Sequence, residues 1–138
     1  MRVTSLCESL VIAIGTVDGK RLTKEHFGDS NIYAIYRVYR DGKIERIEDR
    51  HNTAKDVEER QHGDPKKFRA VLEILKDVDV LVAWAMGPNY VRIRDKSDKV
   101  PYILKGEARK TMSVDDAVKE VVERFDEIYE MVKRKKSR

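Results

Sequence analysis

The stretch that decides the fold is residues 32–48, which read IYAIYRVYRDGKIERIE. Residues 32–39 are rich in β-branched and aromatic types, which favour a strand. An Asp-Gly pair follows at residues 41–42, and such a pair between two strand-like runs is the strongest short-range signal for a β-hairpin. The second arm, residues 43–48, is more polar. We therefore predict that it forms an edge strand, whose charges discourage pairing to another chain.

Three apolar runs predict further strands around this hairpin. Residues 10–14 read LVIAI and end at a glycine, which is typical of a central strand buried on both faces. Residues 78–85, VDVLVAWA, predict a second buried strand, and residues 100–104 a third, shorter one. Residues 50–63 show no apolar period, so we expect a loop there with at most one helical turn.

Two helical patterns are distinct and a third is weak. An Asp-Pro pair at residues 64–65 is a typical helix start, and the apolar spacing that follows predicts an amphipathic helix over residues 65–76. Ser113 is a typical N-cap, and the apolar stripe after it predicts one long helix over residues 113–132. Residues 90–99 are ambiguous and could hold a short helix.

The order of these elements is strand, hairpin, helix, strand, weak helix, strand and helix. A hairpin followed by β–α–β units predicts an α/β fold of three layers, in which a five-stranded mixed sheet has helices on both faces. The chain has no repeats and no low-complexity linker, so residues 1–138 are interpreted as one domain with a core over about residues 10–130. Residues 1–9 are then an extension and residues 133–138 a basic tail.

All three histidines of the chain are predicted to lie at one edge of this sheet. The first strand leads into the loop that carries His26, and the second hairpin arm, which runs in the same direction, ends near His51. His62 precedes the helix that returns the chain, and the strand over residues 78–85 ends at the same edge. Ligands of open α/β sheets bind at this edge, so it is the place to look for a site.

The residue types at this edge are compatible with more than one kind of chemistry. Histidines there can bind a metal, move protons or contact an anion, but a single histidine more often caps a loop. The planar guanidinium of Arg50 suits an oxyanion or a sulfur-rich anionic cluster, and the backbone around Gly87 offers amides to an anion. Cys7 lies before the first strand, away from the histidines, so no Cys–His nucleophile pair and no catalytic residue is assigned.

The amino-acid composition limits the classes of protein to which the chain can belong. The chain of 138 residues has one cysteine and no apolar run near the length of a transmembrane helix, which favours a soluble cytoplasmic protein with no membrane partner. The net charge is +4, and residues 133–138 alone supply five positive charges. Such a tail is more typical of a solvated helix end than of a nucleic-acid contact. The high content of charged residues, 39%, with both signs mixed, is typical of a thermophile surface.

Two motifs resemble those of the dinitrogenase iron–molybdenum cofactor-binding family. The first is VIAIGTVDG at residues 11–19, followed by EHFG at residues 25–28 and a Tyr-rich strand. The second is VDVLVA at residues 78–83, followed after a short spacer by MGP at residues 86–88. The resemblance covers about residues 10–130.

The resemblance implies a ribonuclease H-like motif and a non-enzymatic role in cofactor assembly. The cargo would be an iron–molybdenum or iron–sulfur type cluster, or its precursor, exchanged with cluster donor or acceptor proteins. His26 is then the candidate metal ligand, with Gly87 and Pro88 shaping the pocket. Arg50, His51 and His62, which the strand topology rather than the resemblance places at the same edge, complete the predicted cofactor-binding set. The alternative is a cofactor-free regulatory or protein-interaction module of the same fold, and the oligomeric state stays open.

Overall fold

The computed structural model describes residues 7–56 and 65–137. The strands within them are β1 Ser9–Thr16, β2 Ile32–Tyr39, β3 Ile44–His51, β4 Val80–Ala83 and β5 Val100–Ile103. The helices are α1 Pro65–Ile74, α2 Tyr90–Lys96, α3 Ala108–Thr111, α4 Val114–Glu123 and α5 Phe125–Lys136. No helix formed by these residues is long and apolar enough to cross a membrane.

The five strands form one sheet in the order β3-β2-β1-β4-β5. The hairpin strands β2 and β3 are antiparallel to each other, and β2 is antiparallel to β1. The strands β4 and β5 continue parallel to β1. The predicted α/β fold with a five-stranded mixed sheet is therefore confirmed, and four of the five strands run in one direction.

Helices pack on both faces of the sheet, so the central strand β1 is buried on both sides. On one face Ile12 and Ile14 pack in a cluster with Val118 of α4 and Ile128 of α5. On the other face Ala13 packs in a second cluster, which includes residues of α1 and α2. A strand buried on both faces reads as a continuous apolar run, which explains the LVIAI stretch.

The predicted helix over residues 113–132 is wrong in one respect, because it is two helices. Arg124 leaves helical geometry, with φ −106° and ψ 20°, and separates α4 from α5. Its N–H is shared between the carbonyls of Glu120 and Val121 at 3.1 and 3.2 Å, as is common at helix ends. Neither glycine nor proline marks the break, so the local sequence carries no signal for it. The predicted N-cap Ser113 is confirmed, since its hydroxyl accepts the N–H of Asp116 at 3.3 Å.

Part of the basic tail is bound to the rest of the chain through α5. The Lys135 ammonium donates to the carbonyls of Ile93 and Ser97, both at 2.9 Å, where α2 ends. The Lys136 ammonium lies 3.0 Å from the carboxylate of Asp79. A cation at a helix C-terminus is favourable because carbonyls without helical partners point there. These two lysines therefore fix α5 to α2 and to the start of β4.

Candidate functional site

The turn that carries His26 lies beside the end of β4. The N–H of Phe27 donates to the carbonyl of Ala85 at 2.9 Å, and His26 forms an isolated parallel bridge with Ala85. The strands β1, β3, β4 and β5 all end at this edge of the sheet, because they run in the same direction. His26 thus lies at the edge where ligands of open α/β sheets bind.

A buried amide holds this turn from beneath. Asn52, which is 6% exposed, follows β3 directly, and its side-chain N–H groups donate to the carbonyls of Gly28 at 2.9 Å and Ser30 at 2.8 Å. Its side-chain oxygen accepts the N–H of Ala54 at 3.0 Å. Asn52 was not identified from the sequence. An asparagine directly after a strand that ends at the candidate edge was the only available signal.

Two hydroxyl groups complete the support of the same turn. The phenol of Tyr33 and the hydroxyl of Ser30 both donate to the carbonyl of Phe27, at 2.9 and 2.8 Å. Burial raises the pKa of Tyr33, and the charge of Asp29 raises it further, so this phenol remains a hydrogen-bond donor. Side-chain hydrogen bonds thus hold the carbonyls of Phe27, Gly28 and Ser30 in this turn.

The imidazole of His26 rests on the backbone of Gly87. Gly87 has a φ of +80°, and a Cβ placed on it would lie 2.5 Å from both Cγ and Nδ1 of His26. Only glycine combines this φ with such a close approach of the ring. Pro88 follows Gly87 in the same short turn. The structure therefore brings together the predicted residues His26, Gly87 and Pro88.

A pocket with an apolar interior opens beside His26. The volume that the centre of a water molecule can occupy in it is about 30 Å³. The apolar lining comes from the 26–30 turn, the turn after β4, and three elements of the second cluster; its members are Phe27, Phe68, Val71, Leu72, Leu81, Met86, Pro88 and Ile93. Polar groups at the lining are His26, Asp29, Lys67 and Asn89. An ion pair between Lys67 and Asp29 joins α1 to the 26–30 turn. The cavity is small, and His26 is one of the residues that line it.

The other predicted site residues lie elsewhere. His51 is exposed at the end of β3, opposite Ile32, and neither it nor Arg50 is among the described residues that line the pocket. Strands in a sheet lie about 4.8 Å apart, so β3, three positions from β4, is about 14 Å away along the sheet. His62 lies outside the described residues.

Arg50 binds the C-terminal end of α1. Its guanidinium donates to both carboxylate oxygens of Asp77 at 2.7 and 2.9 Å, and to the carbonyl of Ile74 at 2.9 Å. Hydrogen bonding by Arg50 lowers the pKa of Asp77 from 3.8 to about 2. This arrangement satisfies a carbonyl at the helix end and links it to the edge strand.

We expect Asp77→Asn to lower the free energy of unfolding at pH 7 by up to about 1 kcal/mol, because the side chain of Asp77 is 57% exposed. A depressed pKa in the folded state stabilises the fold above the unfolded value of 3.8 and ceases to do so as pH falls through 2. The difference from wild type should therefore vanish between pH 4 and 2. Urea unfolding across this range measures it, and Glu73→Gln, at an exposed ion pair on α1, is the matched control. A difference that stays constant with pH would contradict the assignment.

Within residues 7–56 and 65–137, no three histidine, cysteine, aspartate or glutamate side chains lie close enough to hold a metal ion together. His26 is therefore a single imidazole contact in the described part of the chain. One imidazole at a pocket mouth suits contact with a preformed cluster better than binding of a lone metal ion, which needs several protein ligands.

A second polar cluster lies at the same edge of the sheet, on the face covered by α4. Glu120 is 7% exposed and accepts hydrogen bonds from the Tyr102 hydroxyl at 2.6 Å and from the N–H groups of Lys105 at 2.9 Å and Gly106 at 2.8 Å. Burial acts to raise the pKa of Glu120, but the three hydrogen bonds outweigh it, and the pKa is lowered. This ionised carboxylate fixes the loop after β5. Its role was not identified from the sequence, since Glu120 looks like one more polar residue of α4.

The fold and the site together define a class of protein: an α/β protein in which a histidine is fixed over a glycine turn at the strand ends. The chain matches the family described as dinitrogenase iron-molybdenum cofactor over residues 8–124 and belongs to that family. The match includes His26, the 86–88 turn and Glu120. Membership relates the chain to the iron–molybdenum cofactor. A comparison with curated proteins finds no match.

Proposed function

We propose that the protein binds and carries an iron–molybdenum or iron–sulfur type cluster, or a precursor of it, during assembly of a metal cofactor. It does so without catalysing a reaction, and it exchanges the cluster with donor or acceptor proteins in the cytoplasm. Family membership supports the kind of cargo. The single cysteine, which leaves no internal disulfide to form, fits a reducing compartment.

The observation that carries the proposal is the position of His26. Its ring is fixed over Gly87 at the mouth of the pocket, on a turn that Asn52 and Tyr33 hold in place. A neutral imidazole is a good ligand for iron and similar metals.

Anaerobic reconstitution with iron, sulfide and molybdate tests the proposal. We expect wild type to retain metal through gel filtration and His26→Ala to retain about tenfold less. Loss of a residue that only orients a metal ligand already lowers metal affinity about tenfold or more, and loss of the ligand itself should lower it at least as much. His51→Ala is the matched control: this histidine is exposed at the same edge of the sheet but lies outside the described lining of the pocket. It should retain metal as wild type does.

Two outcomes would contradict the proposal. One is that wild type retains no iron or molybdenum, and the other is that His26→Ala and His51→Ala retain as much as wild type. Either result would favour a cofactor-free protein-interaction module of the same fold. Circular dichroism of each variant before loading establishes that any loss of metal does not come from unfolding.

A further inference from the structure

Two cationic side chains meet at the indole of Trp84, which directly follows β4. The guanidinium carbon of Arg109 in α3 lies 4.2 Å from the centroid of the indole, and the ammonium of Lys24 lies 5.7 Å from it. Cations at these distances are attracted to the face of an indole. These three side chains are called the Trp84 corner below. The corner joins the loop before His26 to the helix that follows β5.

The Trp84 corner and the pocket beside His26 lie on opposite faces of the sheet. Ala108, which precedes Arg109 in α3, packs in the cluster of α4 and α5. The pocket, in contrast, is lined by residues of α1 and belongs to the other cluster. The corner is therefore a separate place at the edge where the parallel strands end.

Arg109 is held in position by backbone carbonyls at two strand ends. Its Nη1 donates to the carbonyl of Trp84 at 2.7 Å and to that of Leu104, directly after β5, at 3.2 Å. The indole N–H of Trp84 donates in return to the carbonyl of Arg109 at 3.3 Å. These bonds use one nitrogen of the guanidinium. Its Nε and Nη2, which carry three N–H donors between them, have no hydrogen-bond partner among residues 7–56 and 65–137.

Neither cation of the corner has a counter-ion in the part of the chain that the structure describes. The carboxylates nearest in sequence, Glu25 and Glu107, form no ion pair with Lys24 or Arg109 there. The buried carboxylate of Glu120 is bound by three other donors. Two like charges at one indole repel each other, and a bound anion would remove this repulsion.

We propose that the Trp84 corner binds one doubly charged tetrahedral oxyanion, such as sulfate or molybdate. Arg109 offers Nε and Nη2 as a fork, a geometry that suits two oxygens of one oxyanion. Lys24 adds a compact positive charge at the same ring. The inference does not depend on cluster binding at His26, because the corner lies on the other face of the sheet.

The fluorescence of Trp84 tests the site, because Trp84 is the only tryptophan of the chain. At an ionic strength held constant with chloride, we expect sulfate and molybdate each to change this emission until it saturates. Titration calorimetry should give one bound anion per chain. Perchlorate has the same shape but a single charge, so it should bind at least about tenfold more weakly.

Two variants separate the roles of the cations. Lys24→Gln changes an exposed side chain and leaves the contacts of Arg109 in place, and we expect it to raise the dissociation constant for sulfate about threefold. Arg109→Lys keeps the charge but removes the fork, and we expect a rise of about tenfold or more. The matched control is Lys119→Gln, which removes the same charge at an exposed position of α4 and should leave the affinity unchanged.

Three results would overturn the proposal. The first is a wild-type emission that changes with sulfate and molybdate without saturating, and the second is equal affinity for sulfate and perchlorate. The third is a Lys24→Gln variant that binds sulfate as tightly as Lys119→Gln does. If Arg109→Lys fails to fold by circular dichroism, the two anions and the Lys24→Gln variant decide the result.

Discussion

Replacement of Glu120 by alanine is expected to lower the free energy of unfolding by about 1–3 kcal/mol. The change leaves the N–H groups of Lys105 and Gly106 and the hydroxyl of Tyr102 without the carboxylate they now bind, beneath a side chain only 7% exposed. The hydroxyl of Tyr102, a residue only 4% exposed, pays the desolvation that folding imposed on it once its partner is gone. Lys105 and Gly106 are exposed residues, so water can reach their N–H groups at a smaller cost. Chemical denaturation at pH 7 measures this loss.

The pH dependence of the same variant provides a second check. The pKa of Glu120 is lowered in the folded protein, so its ionised form stabilises the fold above the unfolded value of 4.5 and this contribution decreases as pH falls below that value. The gap between wild type and Glu120→Ala should therefore narrow in acid. Glu123→Ala, at an exposed position of the same helix, is expected to change stability by less than about 0.5 kcal/mol. Equal stabilities of the two variants would contradict the structural role of Glu120.

The fold could be predicted because its strands differ in burial. A strand buried on both faces, such as β1, has a continuous apolar run, whereas the edge strand β3 is polar, and the Asp-Gly turn joins it to β2. The break at Arg124 could not be predicted, because no local residue preference produces it. Residues on both sides of the break, such as Val121 and Phe125, pack in the same core cluster.

The candidate site was predicted in part. His26, Gly87 and Pro88 follow strands that end at one edge, and that rule places them together without knowledge of strand order. Strand order is what separates Arg50 and His51 from them, because β3 lies at the far side of the hairpin. Asn52 and Glu120 act through hydrogen bonds to loops distant in sequence, such as Gly28 and Gly106, and periodicity carries no information on such contacts.

Replacement of Gly87 by alanine is expected to have the largest effect on the site without replacing the candidate metal ligand His26. The φ of +80° is strained for alanine, and the new Cβ would lie 2.5 Å from the His26 ring, so the imidazole must move. We expect a loss of about 1–3 kcal/mol in the free energy of unfolding. We also expect the metal retained after anaerobic reconstitution to fall towards the level of His26→Ala.

Two other glycines separate the causes of this effect. Gly42 also has a positive φ, +97°, but a Cβ there meets no atom of the described residues within 4 Å, so Gly42→Ala introduces backbone strain without a collision in that part of the chain. Gly28 lines the pocket, and a Cβ on it meets no atom of residues 7–56 and 65–137 within 4 Å. Gly28→Ala therefore adds a methyl group at the pocket with neither backbone strain nor a collision with those residues. If the position of His26 determines retention, only Gly87→Ala should lose metal, although Gly42→Ala should also lose stability. If a folded Gly87→Ala protein retained as much metal as wild type, the position of the His26 ring over Gly87 would not be what holds the cluster.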